Sequence, residues 1–333
     1  MILIIRWDFS KINYLTKNIN IAFILYKIKM SEEGKKVLKL NSEFECPVIG
    51  LGTYRIKNPE QVVYQSIRDG VRLIDTASHY NNEEEIGKGI KRALDENIVK
   101  REDLFIITKC WVEEKIDPEN ALKNSLKKLQ LSYVDLYLDH WPCGKDYSGK
   151  YQFDKICVKD MWKKFENLVE KGMTKSIGVS NYNVQNILIV LSICKIKPAV
   201  NEVEFNPYLY QKDLKEFCDK ENIKLISYYP LVKGRYCTSE LIKEKNLDLL
   251  NESIIKNLAE KYNKTPGQIV LNWHIYLGNI VIPGTSNPNR MKENLQALEF
   301  KMKEEEYQLI GSLSEKEYRF CNGTSVYGID IFA

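Results

Sequence analysis

Eight short apolar runs, each followed by a polar loop and then by a stretch of helical periodicity, organise this 333-residue chain. They are PVIGLG, VRLIDT, LFIITKC, VDLYLDH, KSIGVS, AVNEVEF, KLISYY and NIVIPG. Runs that are apolar on both faces suit strands covered on both sides, and strands joined through helices pair in parallel. Eight such units predict a closed (β/α)8 barrel. An open doubly wound sheet is the alternative, but GLGTYR supplies only the first two glycines of a GxGxxG fingerprint.

Helices are predicted over Pro59–Asp69, Glu83–Asp95, Pro118–Leu129, Lys159–Lys171, Val184–Ile193, Lys212–Lys220, Leu249–Asn263, Pro266–Tyr276 and Asn289–Leu298. Asn58, Asp117 and Thr265 each precede a proline and are predicted N-caps. Ahead of the first unit, KKVLKLNSEFE reads as a β-hairpin. Residues 30–333 are expected to form one barrel domain. Residues 1–29 read as an extension, or as sequence upstream of a working start at Met30.

Four consecutive strands finish on chemistry. VRLIDTASHY carries Asp75 and Tyr80, LFIITKCW carries Lys109 and Trp111, VDLYLDHWP carries His140 and Trp141, and KSIGVSN carries Ser180 and Asn181. In a parallel barrel these ends share one rim, where catalytic groups sit. A phenol with a reference pKa near 10 is a weak acid at neutrality, so Lys109 beside Tyr80 is expected to pull that pKa down. Asp75 would fix Lys109 in place, and His140 would orient a carbonyl. Singly, each has a plain reading: Asp75 as a helix cap, Tyr80 as packing, Lys109 as solvated, His140 as structural.

Composition removes other classes. Hydrophobic residues make up 44% and charged residues 28%, with a formal net charge of +4 spread along the chain. No dense basic block with aromatics supports a nucleic-acid partner. Eight scattered cysteines without a CxxC pair point to reduced thiols and a cytoplasmic location. The three histidines lack zinc-ligand spacing, so no metal is expected. The longest apolar run of the extension, Ile21 to Tyr26, is too short to span a membrane. Its basic character leaves organelle targeting as the alternative.

The ordered motifs RLIDTASHYNNEEEIG, ITKCW, DLYLDHWP, GVSNY, VNEVEFNPY, ISYYPL and VIPGTSNPNRMKENL resemble those of the aldo-keto reductases, from about Val37 to Ala333. That resemblance implies a (β/α)8 barrel with a loop at its carboxyl terminus over the mouth, reducing aldehydes and ketones with NADPH. By position it implies the tetrad Asp75, Tyr80, Lys109 and His140, with Tyr80 the general acid. It implies a cofactor site of Gly52, Thr53, Tyr54, Ser180, Asn181, Glu202, Tyr228, Leu231, Thr285, Ser286, Arg290, Glu293 and Asn294. Tyr228 would stack on the nicotinamide, and Arg290 would hold the 2′-phosphate. Tyr54, Trp111, His140 and Trp141 would wall the substrate pocket.

Three positions depart from the family pattern. Gly284 stands where a lysine often supports the 2′-phosphate, which opens the way to NADH. Glu202 stands where a glutamine commonly meets the carboxamide, and a carboxylate donates only when protonated. Asp139 precedes the histidine where an apolar residue is usual, and should face the helix layer with a buried partner or a partly exposed strand end. The chain thus reads as a monomeric reductase of small carbonyls such as aldoses or methylglyoxal. A cofactor-binding redox sensor with little turnover, or an NAD(P)-linked alcohol or sugar dehydrogenase, are the other readings.

Overall fold

The computed structural model describes residues 28–30, 36–145, 151–152, 158–233, 242, 244–321 and 332. The predicted extension before Ile28, parts of the loop after His140, and most of the last twelve residues lie outside this set.

Eight parallel strands form the core: β1 (Leu51–Gly52), β2 (Leu73–Asp75), β3 (Phe105–Cys110), β4 (Val134–Asp139), β5 (Thr174–Ser180), β6 (Val200–Glu204), β7 (Lys224–Tyr228) and β8 (Ile280–Val281). Each pairs with its sequence neighbour. Parallel bridges from Ile49 to Val281 and from Gly52 to Gly284 bring β8 back to β1. The seam is tight: a Cβ on Gly52 would lie 2.6 Å from the Ile282 carbonyl oxygen, so only glycine fits. The predicted barrel is the observed one. Its amino-terminal end carries an antiparallel sheet of Lys36–Lys39 and Glu45–Pro47, the expected hairpin, joined by Ile28–Met30.

The predicted helices are present with small boundary shifts. Asp117 accepts from the Asn120 N–H at 3.1 Å, and Thr265 forms a capping box with Gln268. Asn58 does not cap: its backbone is left-handed (φ 52, ψ 58) and its side chain makes no capping bond. The structure adds a helix, Glu304–Gly311, and a short antiparallel pair, Gly144–Lys145 with Tyr151–Gln152, that the apolar pattern did not announce. The described cysteines, 46, 110, 143, 194, 218 and 321, are free thiols.

Strand register sets the rim. Gly52 pairs with Asp75, Lys109 with Leu138, and Ser180 with Glu202. Alternation then sends successive residues to opposite sides. Asp139 therefore leaves the barrel interior: it is wholly buried, with Lys115 Nζ 2.7 Å from Oδ1 and the Tyr182 hydroxyl donating to Oδ2 at 2.6 Å. Burial pushes its pKa up, and the Lys115 ammonium pulls it back. The buried-partner expectation for Asp139 holds. Lys115 also donates to the Trp141 carbonyl oxygen, which ties this pair to the rim.

Removing one member of a buried pair strands the other's charge. Lys115→Met should lower unfolding free energy by about 3–5 kcal/mol in denaturant titration. Lys115→Met combined with Asp139→Leu should recover most of that loss.

Candidate active site

Asp75 closes β2, and a one-turn 3-10 helix over Ser78–Tyr80 follows it. The turn is braced from below. Ser78 Oγ donates to Glu114 Oε2 at 2.6 Å, and the same oxygen accepts the Trp111 backbone N–H at 2.8 Å. Glu114, absent from the sequence-based set, thereby locks the Tyr80 turn to the end of β3. Thr53 reaches Asp75 from β1, its Oγ1 donating to the Asp75 carbonyl oxygen at 2.8 Å.

Lys109 is completely buried at the centre of the mouth. Its ammonium donates to Asp75 Oδ2 at 2.5 Å, to the Thr76 carbonyl oxygen at 2.9 Å and to the Tyr80 hydroxyl at 3.3 Å. A second carboxylate, Glu202 Oε1, lies 3.3 Å from the same nitrogen. Two carboxylates on one ammonium in a dry site cannot both hold full charge. Burial raises the Asp75 pKa as well, but its shorter contact with the Lys109 ammonium pulls it back, so Asp75 is the one that keeps its charge. The proton rests on Glu202, whose pKa is driven well up by burial and then by Asp75. Its other oxygen, Oε2, is buried without a partner among the described residues.

One expectation is overturned here. Lys109 does not pull Tyr80 toward neutrality: the phenol is pushed well above its usual value, first by burial and then by the Asp75 charge. The lysine charge is already spent on Asp75. Tyr80 is consequently a fully protonated phenol at physiological pH.

His140 follows β4, and its pKa falls well below the usual 6.5, first through burial and then through the Lys109 ammonium. It is a neutral imidazole, able to donate one N–H. Tyr80 meets His140 edge-on at 5.7 Å and Tyr54 at 4.8 Å, while Trp111 lies edge-on to His140 at 5.0 Å. Trp111, Trp141 and Phe332 pack on the small buried cluster of Val112 and Cys143. Tyr80, His140, Tyr54 and Trp111 thus converge around one point, with Trp141 beside them.

The remaining predicted residues fall into two groups. Ser180 and Asn181 are buried beside Glu202, the Ser180 hydroxyl and the Asn181 N–H both donating to the Glu202 carbonyl oxygen at 2.9 Å. Asn181 Oδ1 accepts from the Tyr228 hydroxyl at 2.8 Å, which fixes the tyrosine ring at the mouth. Asn181 Nδ2 is engaged with the His140 carbonyl oxygen and Ser180 Oγ, so the fixed Tyr228 ring and the orphaned Glu202 oxygen are the features of this group that fit a nicotinamide and its carboxamide. Leu231 is half-buried beyond Tyr228 and packs on the core.

The second group lies on the loop after β8 and the helix Pro288–Leu295. Gly284 is exposed, and a Cβ there would lie 3.2 Å from the Gly52 carbonyl oxygen. Thr285 Oγ1 is engaged with Asn287, and Ser286 Oγ accepts the Lys57 backbone N–H at 2.8 Å. Glu293 accepts from Thr265 Oγ1 at 2.6 Å, Asn294 is buried, and Arg290 is exposed. Arg290 is the cation this group offers an anion. Among the described residues no cluster of His, Cys, Asp and Glu could hold a metal, and no helix is long and apolar enough to cross a membrane.

A neutral Glu202 is directly observable. Infrared difference spectra at pH 7 between the wild type and Glu202→Gln should show loss of one protonated-carboxyl C=O stretch. Loss of a carboxylate band in its place would refute the charge assignment.

Comparison with known proteins bears on the barrel as a whole. The sequence model of the Aldo/keto reductase family matches residues 48–315. Aldose reductase B of Dictyostelium discoideum is 36% identical, the match covering 90% of this chain and 98% of that protein. Aldo-keto reductase family 1 member A1 of Gallus gallus is 40% identical over 83% of this chain and 88% of its own length. The NADH-dependent D-xylose reductase of Candida parapsilosis is 36% identical over 83% and 91%. Among solved structures, an aldo-keto reductase of Bombyx mori in complex with NADP superposes with a TM-score of 0.80 at 33% identity, covering 87% of this chain and 95% of that one. With its family motif spanning the barrel and its relatives matched nearly end to end, the chain belongs to the aldo/keto reductase family.

Proposed function

We propose that this protein reduces small aldehydes or ketones to alcohols, with Tyr80 as the proton donor. The observation that carries this reading is the buried Lys109 ammonium, 2.5 Å from Asp75 and 3.3 Å from the Tyr80 hydroxyl. Bound NADPH would supply the hydride. Ser180, Asn181, Glu202 and Tyr228 would hold and orient its nicotinamide.

The residues around the mouth divide the remaining work. A neutral His140 donates an N–H to the carbonyl oxygen and, being a poor acid, directs it toward Tyr80. As negative charge develops on that oxygen, the Tyr80 O–H passes its proton there and the phenol becomes a phenolate. The new phenolate lies beside Lys109, whose ammonium stabilises it at the moment it forms. The elevated Tyr80 pKa suits this direction, because a growing alkoxide is a much stronger base than a phenolate. It works against alcohol oxidation, which must start from the phenolate. That asymmetry favours a reductase over a dehydrogenase, and the complete tetrad favours turnover over a sensing role.

On the adenosine side the proposal is NADPH with tolerance of NADH. Arg290 presents an exposed guanidinium suited to a 2′-phosphate, whereas Gly284 has no side chain and the Thr285 and Ser286 hydroxyls have local partners. One relative is named for NADH and one solved structure holds NADP, so the scaffold accommodates both. Arg290→Ala should raise KM for NADPH by about tenfold or more, the worth of a charge-assisted contact, and leave KM for NADH nearly unchanged. A wild-type enzyme markedly more efficient with NADH would overturn the preference.

Tyr80→Phe should lower kcat for aldehyde reduction by about 10²–10⁴-fold without weakening NADPH binding measured by fluorescence. Retained turnover would remove Tyr80 from its role. Because reduction needs the protonated phenol, its rate should show no alkaline loss through Tyr80 until the pH exceeds about 10. Alcohol oxidation needs the phenolate, so its rate should keep climbing across the same range. A reductive rate that halves between neutral pH and about pH 9 through a tyrosine ionisation would contradict the raised pKa.

A further inference from the structure

Glu204 ends β6 two residues after Glu202, so both side chains leave the same face of the strand. Glu204 has no solvent exposure, and Lys109 plays no part in its contacts. Its partners come from the far end of the chain. The Phe320 backbone N–H donates to Oε1 at 3.1 Å and to Oε2 at 3.0 Å, and the Cys321 N–H donates to Oε2 at 2.7 Å. More than a hundred residues of sequence are closed by one carboxylate.

Neighbouring bonds extend the attachment. Arg319 Nη2 donates to Gln211 Oε1 at 2.8 Å, and Gln211 Nε2 donates to the Glu204 carbonyl oxygen at 2.5 Å. The Tyr318 N–H reaches the Tyr208 carbonyl oxygen at 3.0 Å, and the Phe320 ring meets Tyr229 edge-on at 5.8 Å. Arg319 lies 3.8 Å from the centroid of the Phe332 ring, which meets Trp141 edge-on at 6.5 Å. The stretch that Glu204 holds therefore adjoins the Trp141 wall of the mouth.

A carboxylate drawn out of water at an element end needs donors, and here backbone N–H groups supply them. Such bonds fix the path of the chain whatever side chains it carries. We propose that Glu204 is a positioning residue that sets the size of carbonyl admitted, by holding the Phe320 and Cys321 backbone against the wall of the mouth. The assignment rests on reading the mouth as a carbonyl-reducing site.

Hydrogen exchange and substrate comparison on the full-length protein test it together. Glu204→Ala removes every acceptor, while Glu204→Gln keeps one oxygen and nearly the same volume. In Glu204→Ala the amides of Phe320 and Cys321 should exchange at least tenfold faster. The ratio of kcat/KM for a naphthaldehyde to that for propanal should rise at least tenfold, carried mainly by KM, with Glu204→Gln between the two. Unchanged exchange at those amides would overturn the proposal, as would faster exchange with an unmoved ratio. A purely structural role would lower both substrates' rates together and is excluded by the split in KM. Should Glu204→Ala not fold, the intermediate exchange and ratio of Glu204→Gln decide alone. If the wild type reduced neither aldehyde, the catalytic reading would fail while the exchange data still reported on the attachment.

Discussion

A lysine ammonium with no solvent exposure governs the chemistry of this barrel. Lys109 could not be buried alone, since moving an ammonium out of water costs several kcal/mol even after relaxation. Asp75, a carbonyl oxygen of the Tyr80 turn and Glu202 share the work of compensating it. Each partner is held by a different strand or turn. The charge is neutralised only when β2, β3 and β6 are in register, so this contact couples correct barrel assembly to a competent site.

The same barrel keeps a second buried pair on the other side of its wall. Asp139 and His140 are adjacent in sequence but serve opposite sides of β4: one pairs with Lys115 in the helix layer, the other faces the mouth. Had Asp139 pointed inward, a third carboxylate would have competed for Lys109 and raised the histidine's pKa. Alternation along the strand alone keeps that charge away. Lys115 still reaches the Trp141 carbonyl oxygen, so the outer pair supports the wall of the mouth, and its ammonium adds a little to the fall of the His140 pKa.

Features governed by local pattern were legible in the sequence. Strand-end placement of Asp75, Lys109, His140 and Ser180 follows from a two-residue alternation and a repeating unit, and the helix starts at Pro118 and Pro266 follow from their caps. What escaped depends on distance or on sign. Glu114 under the Tyr80 turn and Glu204 under Phe320 are single acids in unremarkable contexts, tied to partners that no local rule connects. The helix Glu304–Gly311 starts without a proline or a hydroxyl cap, which leaves its beginning unmarked. The raised Tyr80 pKa escaped because the lysine was weighed and the burial of the phenol beside Asp75 was not.

Glu202 shows how a departure from a family pattern can leave a site's charge unchanged. Read as a sequence letter, glutamate for glutamine adds a negative charge beside Lys109. In the folded barrel, burial and Asp75 drive the proton onto it. A neutral carboxylic acid offers one donor and one acceptor, the capacities an amide presents to a carboxamide partner. The substitution is therefore conservative in the protonation state that the barrel enforces. It holds only while Asp75 keeps its 2.5 Å contact with Lys109, because loss of that contact would let the proton move to Asp75 and place the charge on Glu202. The order of the two distances from one nitrogen thus decides which carboxyl group carries the charge.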